Sequence, residues 1–321
     1  MPNRFSRNAL AIFLSLAALL LPSFGRAEEG SSGHYVPGAT ADYVDMLPGE
    51  PGWAYANFPL YYHGSASAGR TLEFGGVVTA NASSTIWGDT SLLLYETPWK
   101  IAGGEYATAI AIPYLSVDVK GTVGIGPLAK RTTSSANGIG DIEVFPAMLV
   151  WKEGDLKYGT SFGIYAPTGG YTVGKLANTS KNFWTFEPGI NFSYLSTTSG
   201  IEFTGFAAFD INTSNDATAY QSGPVFRLDT TVAQHLPLAG GIAGIGANFF
   251  YYQQIGGDSG AGAVLGGFEG RTVGIGPVLS YAYPLGKAKL VAEAKWLPEL
   301  DVSNRLKGDI AWIKLGINVS F

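Results

Sequence analysis

The 321-residue chain contains no cysteine, which excludes a disulfide framework, a thiolate metal site and a thiol nucleophile. Histidine is almost missing too, with only His34, His63 and His235. No H-E-x-x-H pair or G-x-S-x-G elbow accompanies them, so the sequence offers no motif for an enzyme and none for a bound cofactor. Charged residues make up only 14 % of the chain, and acids outnumber bases 25 to 20. A nucleic-acid partner is therefore not expected. Beyond the N-terminal segment no stretch approaches the ~18 apolar residues of a membrane-spanning helix.

That first segment has Arg4 and Arg7, an apolar run from Ala9 to Leu21 and a small-residue ending at Gly25-Arg26-Ala27. It reads as a secretory signal over 1–27, the alternative of an anchor helix being disfavoured by a run shorter than the ~20 residues needed to span. Cleavage would remove three arginines and no acid, moving the formal charge from −5 to about −8.

What the chain does have is glycine and aromatics: 44 Gly, 17 Tyr, 18 Phe and 7 Trp. Glycine at about twice its usual ~7 % share fits an all-β chain better than a helical domain. Period-2 alternation recurs throughout, as in "LKYGTSFGIYAP", "WTFEPGINFSYL", "IEFTGFAAFD" and the terminal "WIKLGINVSF". Alternation of this kind places successive side chains on opposite faces of a strand. It predicts twelve strands over 53–64, 83–99, 105–119, 140–152, 155–167, 182–197, 200–212, 219–236, 241–255, 268–285, 288–301 and 307–321; counting "TLEFGGVVTA" (71–80) as strand raises the number toward fourteen.

Many of these segments exceed the ~5–6 residues of a soluble strand and match the ~9–11 of a tilted transmembrane one. Two- to five-residue turns alternate with longer polar connections, although two of the latter are short. This is the asymmetry of an up-and-down antiparallel β-barrel in an outer membrane, with tight turns on the periplasmic side. The predicted organisation is a barrel over 52–321 preceded by a segment over 28–51. That segment lacks alternation and reads either as a plug meeting lumen groups through His34 and Tyr35 or as a periplasmic tail.

In this register Ile313, Leu315, Ile317, Val319 and Phe321 face outer-membrane lipid. The seven tryptophans, Trp53, Trp87, Trp99, Trp151, Trp184, Trp296 and Trp312, fall near strand ends, where amphipathic rings sit at headgroup level. The ionisable residues at the alternate positions point inward: Glu143, Glu187, Glu202, Asp210, Arg227, Asp229, Glu293, Lys295 and Lys314. They either line a solute path or pair into a network that fills the lumen, since unpaired buried charge is costly. His235, before a turn, reads as an interface residue. The loop "GGDSGAG" (256–262) offers one carboxylate, too few oxygens for Ca²⁺.

Several stretches resemble an outer-membrane channel family named for the meta-cleavage pathway of phenol degradation: "EGSSGHYVPGA" (29–39), "GIGDIEVFPAMLVW" (138–151), "YAPTGGY" (165–171), "KNFWTFEPGINFSY" (181–194), "NRLKGDIAW" (304–312) and, most specifically, the block 232–277. The resemblance implies an outer-membrane barrel associated with uptake of hydrophobic or aromatic compounds, with no residue-level mechanism attached. A terminal Phe321 resembles the signal by which such barrels engage the barrel assembly machinery. The resulting expectation is passive diffusion of small hydrophobic, aromatic solutes, with Phe250, Tyr251 and Tyr252 supplying apolar contacts. A nonselective porin, an outer-membrane enzyme and a structural barrel are the alternatives.

Overall fold

The computed structural model describes residues 32–47, 49–66, 71–123, 128–267 and 269–321, so the predicted signal segment 1–27 lies outside the described residues. Fourteen strands form one antiparallel sheet: β1 (Gly52–Ser65), β2 (Thr71–Phe74), β3 (Val77–Ile101), β4 (Gly104–Val123), β5 (Lys130–Ile139), β6 (Ile142–Glu153), β7 (Leu156–Ala166), β8 (Thr185–Leu195), β9 (Ile201–Asn212), β10 (Val225–Leu238), β11 (Gly241–Gln254), β12 (Arg271–Leu285), β13 (Ala288–Ser303) and β14 (Lys307–Ser320). Twelve of them are staves of a closed barrel. The ring closes because β1 bonds β3 on one side and β14 on the other, from Trp53↔Val319 to Ser65↔Lys307.

The other two strands are extensions. β2 pairs only with the start of β3, across a turn in which Gly75 and Gly76 both have positive φ, the two-residue hairpin geometry that glycine favours. β5 pairs with the far half of β4, above the part that β6 occupies. The segment 120–139, expected as a loop, is thus mostly strand: Lys120–Val123 continues β4 and Lys130–Ile139 returns along it. Its polar alternation, "KRTTSSANGI", hid it, because this extension stands above the apolar band and has no lipid to face. The expected strand 219–236 begins instead at Val225, after a loop tied by the bridge Asn215↔Tyr220.

The outer face carries an apolar band that includes Leu93, Ile112, Ile190, Phe203, Ile245, Leu279 and Leu315, all exposed. Rings flank it at both ends. Trp53 stacks on Tyr95 (4.6 Å), Trp99 on Tyr106 and Trp151 on Tyr158 toward the short turns, and Trp87 packs with Tyr61 (4.5 Å) toward the loops. Trp312 departs from the expected girdle: it is 7 % exposed and its Nε1 donates to the Pro37 carbonyl inside the barrel (3.1 Å). Its parity with Lys314 places it inward.

The band makes a testable statement. Leu315 lies on the lipid face, so Leu315→Arg should lower the unfolding free energy in phosphocholine vesicles by ~2–4 kcal/mol if it sits near mid-depth, read by urea titration.

Candidate functional site

The inner face is not hollow. Residues 32–47 and 49–51 run through the barrel before β1, and their backbone is bonded to the inner wall at successive levels. Near the short turns, Gly49 N–H donates to Glu96 (3.0 Å) and Lys157 Nζ donates to the Leu47 carbonyl (2.6 Å). Further in, a 3₁₀ turn at Tyr43–Asp45 is capped by Asp42, and Tyr43 N–H donates to Glu202 (2.7 Å). Higher still, Gly38 N–H donates to Asp229 (2.9 Å), and Lys295 donates to the carbonyls of Gly38 (3.2 Å) and Thr40 (2.9 Å). Gly38 has φ +81° and a Cβ there would stand 2.0 Å from Leu297 Cδ1, so only glycine passes this point.

His34 and Tyr35 lie at the inner end of this segment. The His34 ring hydrogen-bonds Asp141 through Nε2 (2.8 Å) and Thr185 through Nδ1 (2.8 Å), stacks on Tyr165 and meets Phe183 edge-on. The Tyr35 hydroxyl donates to Asp229, and the Arg227 guanidinium lies 3.7 Å over its ring.

Eight of the nine inward residues of the sequence register fall into three groups, and the ninth, Asp229, bonds Tyr35 and Gly38 of the N-terminal segment. Arg227 pairs with Glu187 and, at 3.6 Å, with Asp210; Glu143 stands beside them and bonds Tyr165. Glu202 bonds the His235 ring at 2.5 Å. Glu293 joins Lys295 (3.0 Å) and Lys314 (3.4 Å), and Lys314 also pairs with Asp45. Asp229, Glu202, Lys295 and Lys314 therefore meet the N-terminal segment directly. Removing one partner of such a buried pair typically costs ~3–5 kcal/mol. His235 is 5 % exposed and lies in this interior, not at an interface, because its position on β10 has the parity of Arg227 and Asp229.

Along the opposite side lies a cavity of about 410 Å³. Its wall along β1, β3 and β4 is apolar, from Leu92, Leu94, Ala109 and Ala111 near the turns to Leu60, Ile86, Val117 and Val119 near the loops, Phe58, Tyr62, Phe145 and Tyr165 edge it, and charged groups including Glu143, Glu187, Arg227 and Lys314 line the rest. It extends from Met46 and Leu47 to Phe74 and Leu176, where the β2–β3 hairpin packs on the loop 167–184. The aromatics expected to contact solute do not line it. Phe250 is packed with Leu297, Ile310 and Trp312, Tyr252 receives the Arg305 guanidinium (4.1 Å), and Tyr251 is outside, near the Phe226 ring. Among the described residues no group of three or more His, Asp or Glu is placed to hold a metal ion.

Asp141 is the residue that sequence reading missed. It lies in the break between β5 and β6 and joins the N-terminal segment to the loop after β7, accepting from Lys181 N–H (2.7 Å) and Gly169 N–H (3.0 Å) as well as bonding His34. The "GIGD" run carried it, but no alternation marked it as an anchor.

Such a closed ring of antiparallel strands with an apolar outer band is the form of a bacterial outer-membrane barrel, and that band sets this protein in the outer membrane. The family model described as "Putative MetA-pathway of phenol degradation" matches residues 68–315, and the chain belongs to that family. Among solved structures it is similar to the COG4313 outer membrane channel from Pseudomonas putida F1, with 14 % identity, a TM-score of 0.61, and 85 % of this chain and 99 % of that one covered. At that identity the likeness shows the fold. Looser likenesses join it to the beta domain of the Bordetella autotransporter Brka (13 % identity, TM-score 0.47, 85 % and 100 % covered) and to the transport unit of the autotransporter AIDA-I from Escherichia coli (11 %, 0.45, 88 % and 93 %). No curated protein matches the chain.

The Asp141 anchor carries a pH dependence. Burial pushes its carboxyl up, but the His34 ring, the Lys181 N–H and the Ser180 hydroxyl outweigh burial and hold it below its ordinary value. The contact is then fully present above the ordinary carboxylate pKa of ~3.9 and is lost as the pH falls through the lowered value. A spin label on Gly33→Cys, which is unique in this cysteine-free chain, should be immobile at pH 7 and become mobile only as the pH is taken below the ordinary carboxylate range. In Asp141→Asn the same label should already be mobile at pH 7, whereas one on Val44→Cys stays immobile.

Proposed function

We propose that the protein is a passive outer-membrane channel for small hydrophobic, chiefly aromatic compounds, and that residues 28–51 act as its plug while 52–321 form the barrel. The observation that carries this reading is the apolar cavity between the N-terminal segment and the wall of β1, β3 and β4. A water-filled porin would present a polar passage, and a structural barrel would need no cavity. Its volume falls within the ~300–1,000 Å³ of small-molecule sites, which are likewise mostly apolar with a few placed polar groups.

In this reading the nine inward ionisable residues divide their work. Glu202, Asp210, Asp229, Glu293, Lys295 and Lys314 seat the plug and fill the polar half of the lumen; Glu143, Glu187 and Arg227 border the solute path. Phe321, at the end of the lipid-facing β14, is the point offered to the barrel assembly machinery. Lipid surrounds the apolar band.

Uptake into proteoliposomes tests the reading. A small phenol should enter faster than through protein-free liposomes, and a sugar of similar size should not. Equal uptake of both would favour a nonselective porin, and uptake of neither would favour a structural barrel. Deleting residues 32–47 should raise single-channel conductance and remove the preference for the phenol; unchanged conductance would sink the plug.

A further inference from the structure

Strands β3, β4 and β5 continue beyond the apolar band as a sheet with one buried face. Inward, Val117 and Val119 pack with Leu72, Phe74 and Leu176, and Ala136 lies against them. The outward side chains are left on the exterior of the barrel, on the face that meets acyl chains lower down.

Their chemistry changes in order along the strands. Tyr114 and Ile139, paired and both more than half exposed, end the apolar band beside Trp87. Above them Ser116↔Asn137 and Asp118↔Ser135 present hydroxyl and amide groups, and Thr85 and Ser83 of β3 add two more hydroxyls. The carboxylate on this face, Asp118, accepts from the Ser135 hydroxyl. Higher still come Lys120 and Arg131, each opposite a threonine. Both are exposed, and among the described residues neither pairs with a carboxylate. They are diagonal neighbours across the β4–β5 ladder, with backbones ~7–8 Å apart, so two long side chains can share one anionic group.

Height selects the kind of anion. Lys120 lies six residues beyond Tyr114, and Arg131 eight beyond Ile139. At ~3.4 Å per residue and a tilt of ~40°, the two cations stand ~15–20 Å above the end of the apolar band. The polar layer of an ordinary bilayer is only ~5–8 Å deep on each side, so a phospholipid phosphate lies well below them. A lipid that carries negative charge at their level needs a large head, and the hydroxyl and amide rows in between suit sugars. The short turns and Phe321 are at the other end of the barrel, which sets this face on the outer side of the membrane.

We propose that the outward face of β3, β4 and β5 is a binding site for the glycolipid of the outer leaflet, lipopolysaccharide. Its acyl chains lie against the band below Tyr114 and Ile139, its core sugars cross the hydroxyl and amide rows, and Lys120 and Arg131 together hold a negative group on that core. The site does not depend on what the channel carries.

The test measures binding of the full mature protein, immobilised in nonionic detergent, by surface plasmon resonance. The probes are lipopolysaccharide with a complete inner core, lipid A alone, and phosphatidylglycerol. Wild type should bind the complete glycolipid more tightly than lipid A. The double variant Lys120→Gln/Arg131→Gln should weaken the complete glycolipid roughly 3- to 30-fold, the range for two exposed ion pairs, and leave lipid A and phosphatidylglycerol unchanged. Because both side chains are exposed, this variant should unfold in urea as wild type does. Lys100→Gln, which removes an exposed positive charge beside a short turn, should bind all three probes like wild type. Equal binding of the complete glycolipid and lipid A by wild type, or an undiminished preference in the double variant, would overturn the site. A parallel loss of phosphatidylglycerol binding, or the same loss in Lys100→Gln, would also overturn it, since either is the mark of bulk charge.

Discussion

In hydrocarbon a peptide group has no water to bond, so each stave must find both its neighbours, and the pairing of β1 with β14 is the contact that leaves no edge. Once the ring is closed, the two faces of every strand have opposite solvents, and alternation becomes compulsory. Ile313, Leu315 and Val319 go to lipid because Lys314 cannot, and Trp312 follows Lys314 inward by parity. Ionisable residues are thereby collected in a narrow interior where each needs a partner. The buried pairs Arg227–Glu187, His235–Glu202 and Lys314–Asp45 are consequences of closure as much as of local sequence.

The interior divides into two halves with different chemistry. Staves β8 to β14 present Glu187, Glu202, Asp229, Glu293, Lys295 and Lys314, whereas β1, β3 and β4 present mainly Leu, Ile, Val and Ala. An irregular segment has no internal ladder for its own N–H and C=O groups, and in a buried setting these must be bonded by side chains. Only the polar half can supply such bonds at Gly38, Thr40 and Tyr43. Residues 32–47 therefore lie against that half, and the apolar half, which can offer their backbone little, is left as the cavity.

Much of this was legible in the chain. Period-2 alternation located ten of the twelve staves within a few residues, the starts of β3 and β10 lying six residues from the expected positions, and assigned the inward parity of all nine ionisable positions, because parity follows from sequence alone once the lipid face is known. What failed had identifiable causes. Strand β5 is polar on its outward face, having no lipid to meet. Trp312 belongs by residue type with the interfacial rings, but its parity with Lys314 places it inside, and the turn after His235 masks that residue's inward parity. The cavity-lining side chains could not be read at all, since Phe58, Phe145 and Tyr165 lie on three different staves, and their convergence depends on where the N-terminal segment rests. Phe250 and Tyr252, conspicuous in sequence, were consumed by packing.

The balance of donors and acceptors explains where the leftover capacity falls. Six of the nine inward ionisable residues are acids, and the N-terminal segment adds Asp42 and Asp45, so acceptor oxygens exceed side-chain donors in the lumen. The segment offsets part of this surplus with backbone N–H groups, from Gly38 to Asp229, from Tyr43 to Glu202 and from Gly49 to Glu96. These donors are spaced along its own path and bond β10, β9 and β3. Among the acceptors left unsatisfied, Glu143, Glu187 and Asn191 are those that border the cavity. Their position follows from the excess of acid inside the barrel together with the path of the segment that neutralises most of it.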